Sequence, residues 1–384
     1  MDFSLSEEQQ LLKDSVDRFV RESYELEQRR KLVASDDGFS RDNWKMMAEL
    51  GWLGASLPED FGGIGGGPVE TMVIMEGIGT GLVVEPFLSS VVLGGNFLLE
   101  AGSDAQKNEL LPQLAGGELM MAFAFAERQS RFDLQDVELK AAKSGDGYTL
   151  NGHKGVVLQA ASADKIIVTA RTAGGSRDEK GVTLFIVDGN AKGLGRRDYP
   201  TVDGLRASEL TFDNVSVGAN AVLGDVDNAM PVVEMVVGKG IAALCAEAVG
   251  CMKVLHDTTN EYLKTRKQFG APLSKFQVLQ HRMVDMFMEY EQARSMCYMV
   301  TLKCEEADPV ERAKAVSAAK VQIGKSGRFV GQQSVQLHGG MGMTDELNVG
   351  HYFKRLTMID TMFGNKDYHL RRFARLSGTG SKAA

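Results

Sequence analysis

Few residue clusters in this chain are of a kind that does chemistry. One glycine cluster that could matter is Gly339-Gly340-Met341-Gly342. A dinucleotide-binding fingerprint needs a β-strand ahead of its glycines, whereas a long helical pattern precedes these, so by itself the run reads as a helix C-cap. No Walker A loop, H-E-x-x-H zinc motif or G-x-S-x-G nucleophile elbow occurs in the 384 residues. The four cysteines, Cys245, Cys251, Cys297 and Cys304, contain no C-x-x-C pair and fall within helical patterns. They read as buried thiols rather than disulfides or zinc ligands, and no metal site is expected.

Long helices must position whatever these residues do. Pro231 suits a first helical turn, and no breaker follows until Gly270 and Pro272 apart from Gly238, Gly240 and Gly250, which predicts one very long helix. A second is expected to open at Ser274, with Ser274 and Gln277 as a capping box; Leu279, Met283, Met286, Phe287, Tyr290 and Cys297 then recur at helical spacing until Asp308-Pro309. A third runs from Pro309 to Gly339-Gly340, and a fourth from about Leu347 to Phe363 completes an antiparallel bundle.

The chain ahead of the bundle divides in two. Ser6 and Gln9 form a capping box before the apolar face Leu11, Leu12, Val16, Phe19 and Val20. A Gly/Pro-rich turn region spans Gly51 to Gly63, apolar helical stretches run from Val69 to Leu99, and a polar helix from Ser103 is expected to end at Pro112. From Leu119 the period changes to short β-rich runs: Met121 to Ala126, Lys165 to Arg171, Val182 to Val187 and Glu209 to Phe212. Asp146-Gly147 and Asn151-Gly152 are hairpin signals among them. The fold class expected is therefore α+β: an N-terminal helical domain (1–118), a middle antiparallel β domain (119–224) and a C-terminal four-helix bundle (225–384). Only the tail from Ser377 to Ala384 reads as loose.

Composition narrows the partners. A net charge of -8 and a pI near 5.4 argue against nucleic acid or an anionic membrane surface. No apolar run reaches membrane-spanning length, and the acidic N-terminus lacks signal-peptide regions, so a cytoplasmic protein is expected.

Several stretches, in order, resemble the acyl-CoA dehydrogenase family of flavoproteins. They are Leu5-Ser6-Glu7-Glu8-Gln9, Pro58-Glu59-Asp60-Phe61-Gly62-Gly63, Leu111-Pro112 with Gly116-Gly117-Glu118, and Leu150-Asn151-Gly152-His153-Lys154. Thr265-Arg266-Lys267-Gln268-Phe269-Gly270 and Gln336-Leu337-His338-Gly339-Gly340-Met341-Gly342 follow. The resemblance implies FAD-dependent oxidation of an acyl-CoA to the trans-2-enoyl-CoA, with electrons passed to an electron-transfer flavoprotein. Such chemistry needs a carboxylate base for the α-proton and hydrogen bonds to the thioester oxygen.

Here the sequence departs from its relatives. Where most carry the base glutamate, this chain has Phe363 within Met362-Phe363-Gly364-Asn365; at the alternative position, early in the long helix, it has Gly240. The catalytic base is thus unknown, and the nearby acids Asp360 and Glu247 read as structural. Ala126-Glu127-Arg128-Gln129 and Val156-Val157-Leu158 replace residues that meet the flavin ring in relatives, and Asn365 and Asp367 replace a threonine and a glutamine at the cofactor's other end. The residues matching those that reach a neighbouring subunit's FAD remain: Arg266, Gln268, Phe269, Gln336, Gly339 and Gly340. Gln277 is open between that role and its capping box. Arg266 alone would be a solvated helix end.

This asymmetry resembles the subunit lacking the catalytic glutamate in heteromeric members, which oxidise steroid side-chain or dicarboxylic CoA thioesters as α2β2 heterotetramers. Glu85-Pro86-Phe87-Leu88-Ser89-Ser90 and Asp367-Tyr368-His369-Leu370 are similar to that branch. A self-sufficient dehydrogenase with another base, or a related flavin oxidase or monooxygenase, is the alternative.

Overall fold

A computed structural model describes residues 4–378. In chain order its first helices are α1 (Glu7–Ser23), α2 (Leu26–Ala34), α3 (Arg41–Glu49), α4 (Pro68–Gly81), α5 (Asn96–Ala101) and α6 (Asp104–Ala115). The strands β1 (Met121–Ala124), β2 (Lys140–Ser144), β3 (Gly147–Leu158), β4 (Lys165–Arg171), β5 (Val182–Asp188), β6 (Leu194–Pro200), β7 (Arg206–Val217) and β8 (Val222–Leu223) follow. Then come α7 (Met230–Thr265), a small hairpin of β9 (Lys267–Gln268) and β10 (Ala271–Pro272), α8 (Gln277–Lys303), α9 (Pro309–His338), α10 (Val349–Thr361) and α11 (Lys366–Leu376). The order is N-terminal helices, a β domain, then C-terminal helices, as expected.

Local chemistry explains most boundaries. The Ser6 hydroxyl accepts from Gln9 N while the Gln9 side chain accepts from Ser6 N, so α1 opens on the capping box read from sequence. Ser274 and Gln277 do not repeat it. Leu273–Lys275 is a 3₁₀ turn, α8 starts at Gln277 behind Phe276, and no side chain caps it. Pro112 is likewise no terminus: it lies inside α6, which runs on to Ala115. Asn151-Gly152 is no hairpin turn either, since both residues lie within β3 at a bulge where the register against β7 shifts. The turn falls at Gly145-Asp146, between β2 and β3. The helix α11 was not foreseen; Asn365 opens it by accepting from Tyr368 N at 3.0 Å. Ser377 is its C-cap, and the rest of the expected loose tail, 379–384, lies outside the described residues.

The chain forms two compact units. One comprises Leu32–Gly67 and Val84–Gly240 and contains the sheet. Among the described residues eight strands form it, seven of them in the order β6-β7-β3-β2-β4-β5-β8, with β1 beside β4. Neighbours run antiparallel except for β1 with β4 and a single β2 contact to β4. Its core is apolar: Leu150, Ile166, Val168, Phe185, Leu210 and Val215 are each fully buried.

The other unit comprises Met1–Lys31, Pro68–Val83 and Ile241–Ala384. Here α4 and α7 cross so closely that a Cβ on Gly79 would lie 2.0 Å from Glu247 O, and one on Gly250 would lie 2.0 Å from Glu76 O. Deep in the same unit, the Lys320 ammonium donates to the carbonyls of Ile359 (2.7 Å), Asp360 (2.9 Å) and Gly364 (2.8 Å). It thereby satisfies two carbonyls of the last turn of α10, Ile359 and Asp360, together with that of Gly364 beyond it. Burial pulls its pKa down to about 8.

Candidate functional site

Two helix ends in the helical unit converge on one cleft. After Thr265 the chain turns through the β9-β10 hairpin, where Phe269 (φ 55°) and Gly270 (φ 78°) supply the left-handed pair a tight hairpin needs. Leu273 N donates to Arg266 O at 2.9 Å, which closes the hairpin's base. The second end is that of α9. Gly339 adopts φ 59° and ψ -138°, open to glycine alone, and turns the chain into a 3₁₀ segment, Gly339–Met343. Between them lies a cleft of about 650 Å³ lined by Tyr262, Arg266, Gln268, Arg282, Gln336, His338, Gly339 and Gly340, among others. A Cβ on Gly339 or Gly340 would meet nothing within 4 Å, so both backbones face open space.

The cleft is electropositive. No carboxylate lines it among the described residues. Arg266 is exposed, and its guanidinium makes no ion pair among the described residues. His338 is buried, stacks on Tyr262 (centroids 4.3 Å apart) and has its Nδ1 2.8 Å from Ser334 O, so Nδ1 carries a proton. Burial lowers its pKa, which leaves a neutral ring with Nε2 as an acceptor. Guanidinium forks, side-chain amides and a glycine-lined backbone are the donor set that a nucleotide diphosphate requires, and they fit the ADP part of FAD.

The cofactor-binding residues expected from sequence thus separate. Arg266, Gln268, Gln336, Gly339 and Gly340 come together in this cleft. Phe269 and Gln277 are not in its lining: Phe269 is 91% exposed at the hairpin tip, edge-on to Phe276, and Gln277 is exposed at the first position of α8. The cleft also takes in Arg282 and Tyr262, which belong to no motif that names a ligand, and His338, which lies within the Gln336–Gly342 stretch without a role assigned to it there.

The two base positions carry no titratable group. Phe363 holds φ 55°, rare for a bulky residue, and its carbonyl is 3.0 Å from His369 Nε2. Burial pushes the His369 pKa down to about 3, so the ring is neutral and Nε2–H donates. Gly240 is buried in α7. The nearby acids are engaged: Glu247, buried, takes both forks of the Arg355 guanidinium at 2.5 and 2.8 Å, and Asp360 accepts from Lys366 N at 3.1 Å.

In the sheet unit, the segment after β1 is held by a buried ion pair. Lys154 Nζ lies 2.7 Å from Glu127 Oε1 and 2.9 Å from Thr169 Oγ1, while Glu127 also accepts from Glu138 N and Leu139 N. Burial lowers the Lys154 pKa to about 8 despite its partner. For Glu127 burial acts upward, but the ammonium and its hydrogen bonds outweigh it and hold the carboxyl below its ordinary value. Ala126 O accepts from Gly155 N at 2.8 Å, and Val156 is 52% exposed. Backbone, the aliphatic Val156 and the exposed polar side chains of Arg128 and Gln129 therefore stand where relatives are expected to meet a flavin ring.

Comparison with known proteins identifies the family. The acyl-CoA dehydrogenase N-terminal, middle and C-terminal domain families match residues 6–118, 122–215 and 230–377. A probable acyl-CoA dehydrogenase of Bacillus subtilis, YngJ, is 30% identical over 98% of this chain and 99% of its own length. Among solved structures, a variant of the Tcur3481-Tcur3483 steroid ACAD is similar at 28% identity and a TM-score of 0.88, covering 99% of this chain and 100% of that one. The FAD complex of PigA aligns at 25% identity and a TM-score of 0.91, covering 99% and 100%. The chain therefore belongs to the acyl-CoA dehydrogenase family, FAD-dependent oxidoreductases that act on CH–CH groups.

Proposed function

We propose that this chain is the base-lacking subunit of a heteromeric acyl-CoA dehydrogenase and that its cleft completes the FAD site of a partner subunit. One observation carries the reading: the Arg266 cleft is assembled, whereas Phe363 and Gly240 stand at both base positions. FAD, when bound, accepts the β-hydride as the acyl-CoA becomes the trans-2-enoyl-CoA. This chain's residues have other work. The Arg266 fork binds diphosphate, and the Gly339 and Gly340 backbone lets it approach. Phe363 cannot take a proton, and Glu247 is occupied by Arg355. Similarity to a chain of a steroid dehydrogenase named for two gene products supports a heteromer and a bulky CoA thioester such as a steroid side chain. An electron-transfer flavoprotein is the expected acceptor. Among the described residues no helix is long and apolar enough to cross a membrane.

The test is co-expression with a dehydrogenase subunit that carries the base glutamate, followed by counting FAD per subunit and assaying each form. The complex is expected to oxidise acyl-CoA and to hold fewer flavins than subunits, with the lone chain nearly inert. Ordinary turnover by the lone chain would overturn the reading.

A further inference from the structure

The cleft holds a second guanidinium. Arg282 stands on α8 one turn beyond Val278, and both line the cleft. Its Nη1 donates to Gln333 Oε1 at 2.9 Å. Gln333 precedes Gln336 by three residues on α9, so one helix face supplies both the amide that holds Arg282 and an amide that lines the cleft. A neutral amide oxygen fixes the guanidinium without cancelling its charge. Arg266 enters the same space from the end of α7. Neither arginine has an ion-pair partner among the described residues.

Like charges facing one cleft repel, and an anion lying between them relieves the repulsion. A diphosphate offers two adjacent anionic groups, each matched in geometry to a planar fork. We propose that Arg282 is a cofactor-positioning residue: Arg266 and Arg282, from different helices, clamp the diphosphate of a dinucleotide, and Gln333 sets the orientation of Arg282. The inference rests on the reading that the ADP end of an FAD enters this cleft. It adds a requirement: two phosphates should bind much better than one.

Calorimetric titration of the flavin-free full chain with ADP and with AMP tests it. The wild-type chain is expected to favour ADP by about tenfold, the worth of one charge-assisted contact. Arg282→Met should lose about tenfold in ADP affinity and little for AMP, with Arg282→Lys recovering part. Gln333→Leu, which keeps Arg282 but frees it, should give an intermediate loss, and it carries the test if Arg282→Met does not keep its far-UV circular dichroism. A wild-type chain that does not favour ADP, or an Arg282→Met chain that binds ADP like wild type, overturns the clamp. The two readings fail separately. A clamp confirmed with ADP, beside a reconstituted complex whose FAD is indifferent to Arg266→Ala, would sink the partner reading alone. FAD loss on Arg266→Ala with an indifferent Arg282→Met would sink the clamp alone.

Discussion

Arg266 is an exposed residue at a helix end, so Arg266→Ala should leave the fold intact. It should nevertheless weaken FAD retention by the reconstituted complex about ten- to a hundredfold, since a charge-assisted contact of roughly 1.5–3 kcal/mol is removed. Absorbance after gel filtration reads the outcome, and full retention would return Arg266 to a solvated charge. Lys154 differs, being fully buried against Glu127. Lys154→Met strands a carboxylate and should cost about 3–5 kcal/mol in urea unfolding. Adding Glu127→Gln should recover much of that, because no buried charge is then left alone; equal losses in single and double variants would contradict the pairing. Lys320 gives a pH signature. Its folded pKa, about 8, lies below the ordinary 10.5, so between those values the unfolded chain binds more protons and stability rises with pH. The stability of wild type relative to Lys320→Met should therefore grow from pH 8 to pH 10, by at most about 1.4 kcal/mol per unit. A shrinking difference would show that the folded chain holds this proton more tightly than the unfolded chain does, so that burial does not depress the lysine.

Helices α4 and α7 cross through glycines, and this contact is where an added methyl has nowhere to go. Gly79→Ala would push a Cβ into the Glu247 carbonyl, a backbone atom that cannot rotate away. A loss of about 2–4 kcal/mol in chemical denaturation is expected, and a change below half a kcal/mol would mean that the helices separate freely. Elements such as these were unevenly legible. Long helices declared themselves through periodicity and Pro/Gly punctuation, and Ser6 with Gln9 predicted a cap that exists. Ser274 with Gln277 has the same letters but sits ahead of a 3₁₀ turn, which moves the start of α8 to Gln277. The parallel partner of β1 was invisible, since strands about forty residues apart in sequence pair through tertiary packing rather than any local signal. Motifs found Arg266, Gln336 and the glycines, whereas Arg282 owes its place to helix packing that no single stretch encodes.

On the scale of the whole molecule, the proposed function requires company. Val284, Phe287 and Met288 leave an apolar stripe on α8, 55%, 48% and 49% exposed, at the spacing of one helix face. A four-subunit particle with a partner chain is the expected cover, measurable by light scattering after size exclusion. Phe287→Glu should shift it to smaller species, and a wild-type chain that stays monomeric beside its partner would refute the expectation. The buried cysteines give the helical unit a built-in clock. Cys245, Cys251, Cys297 and Cys304 are at most 3% exposed, all within that unit, and burial holds the Cys245 thiol up at about 12. A thiol reagent can reach them only when the packing opens. Labelling rates in native buffer therefore time the breathing of one half of the molecule, while the cysteine-free sheet unit stays silent. FAD or a partner that truly engages the cleft should slow that clock without touching a single sulfur.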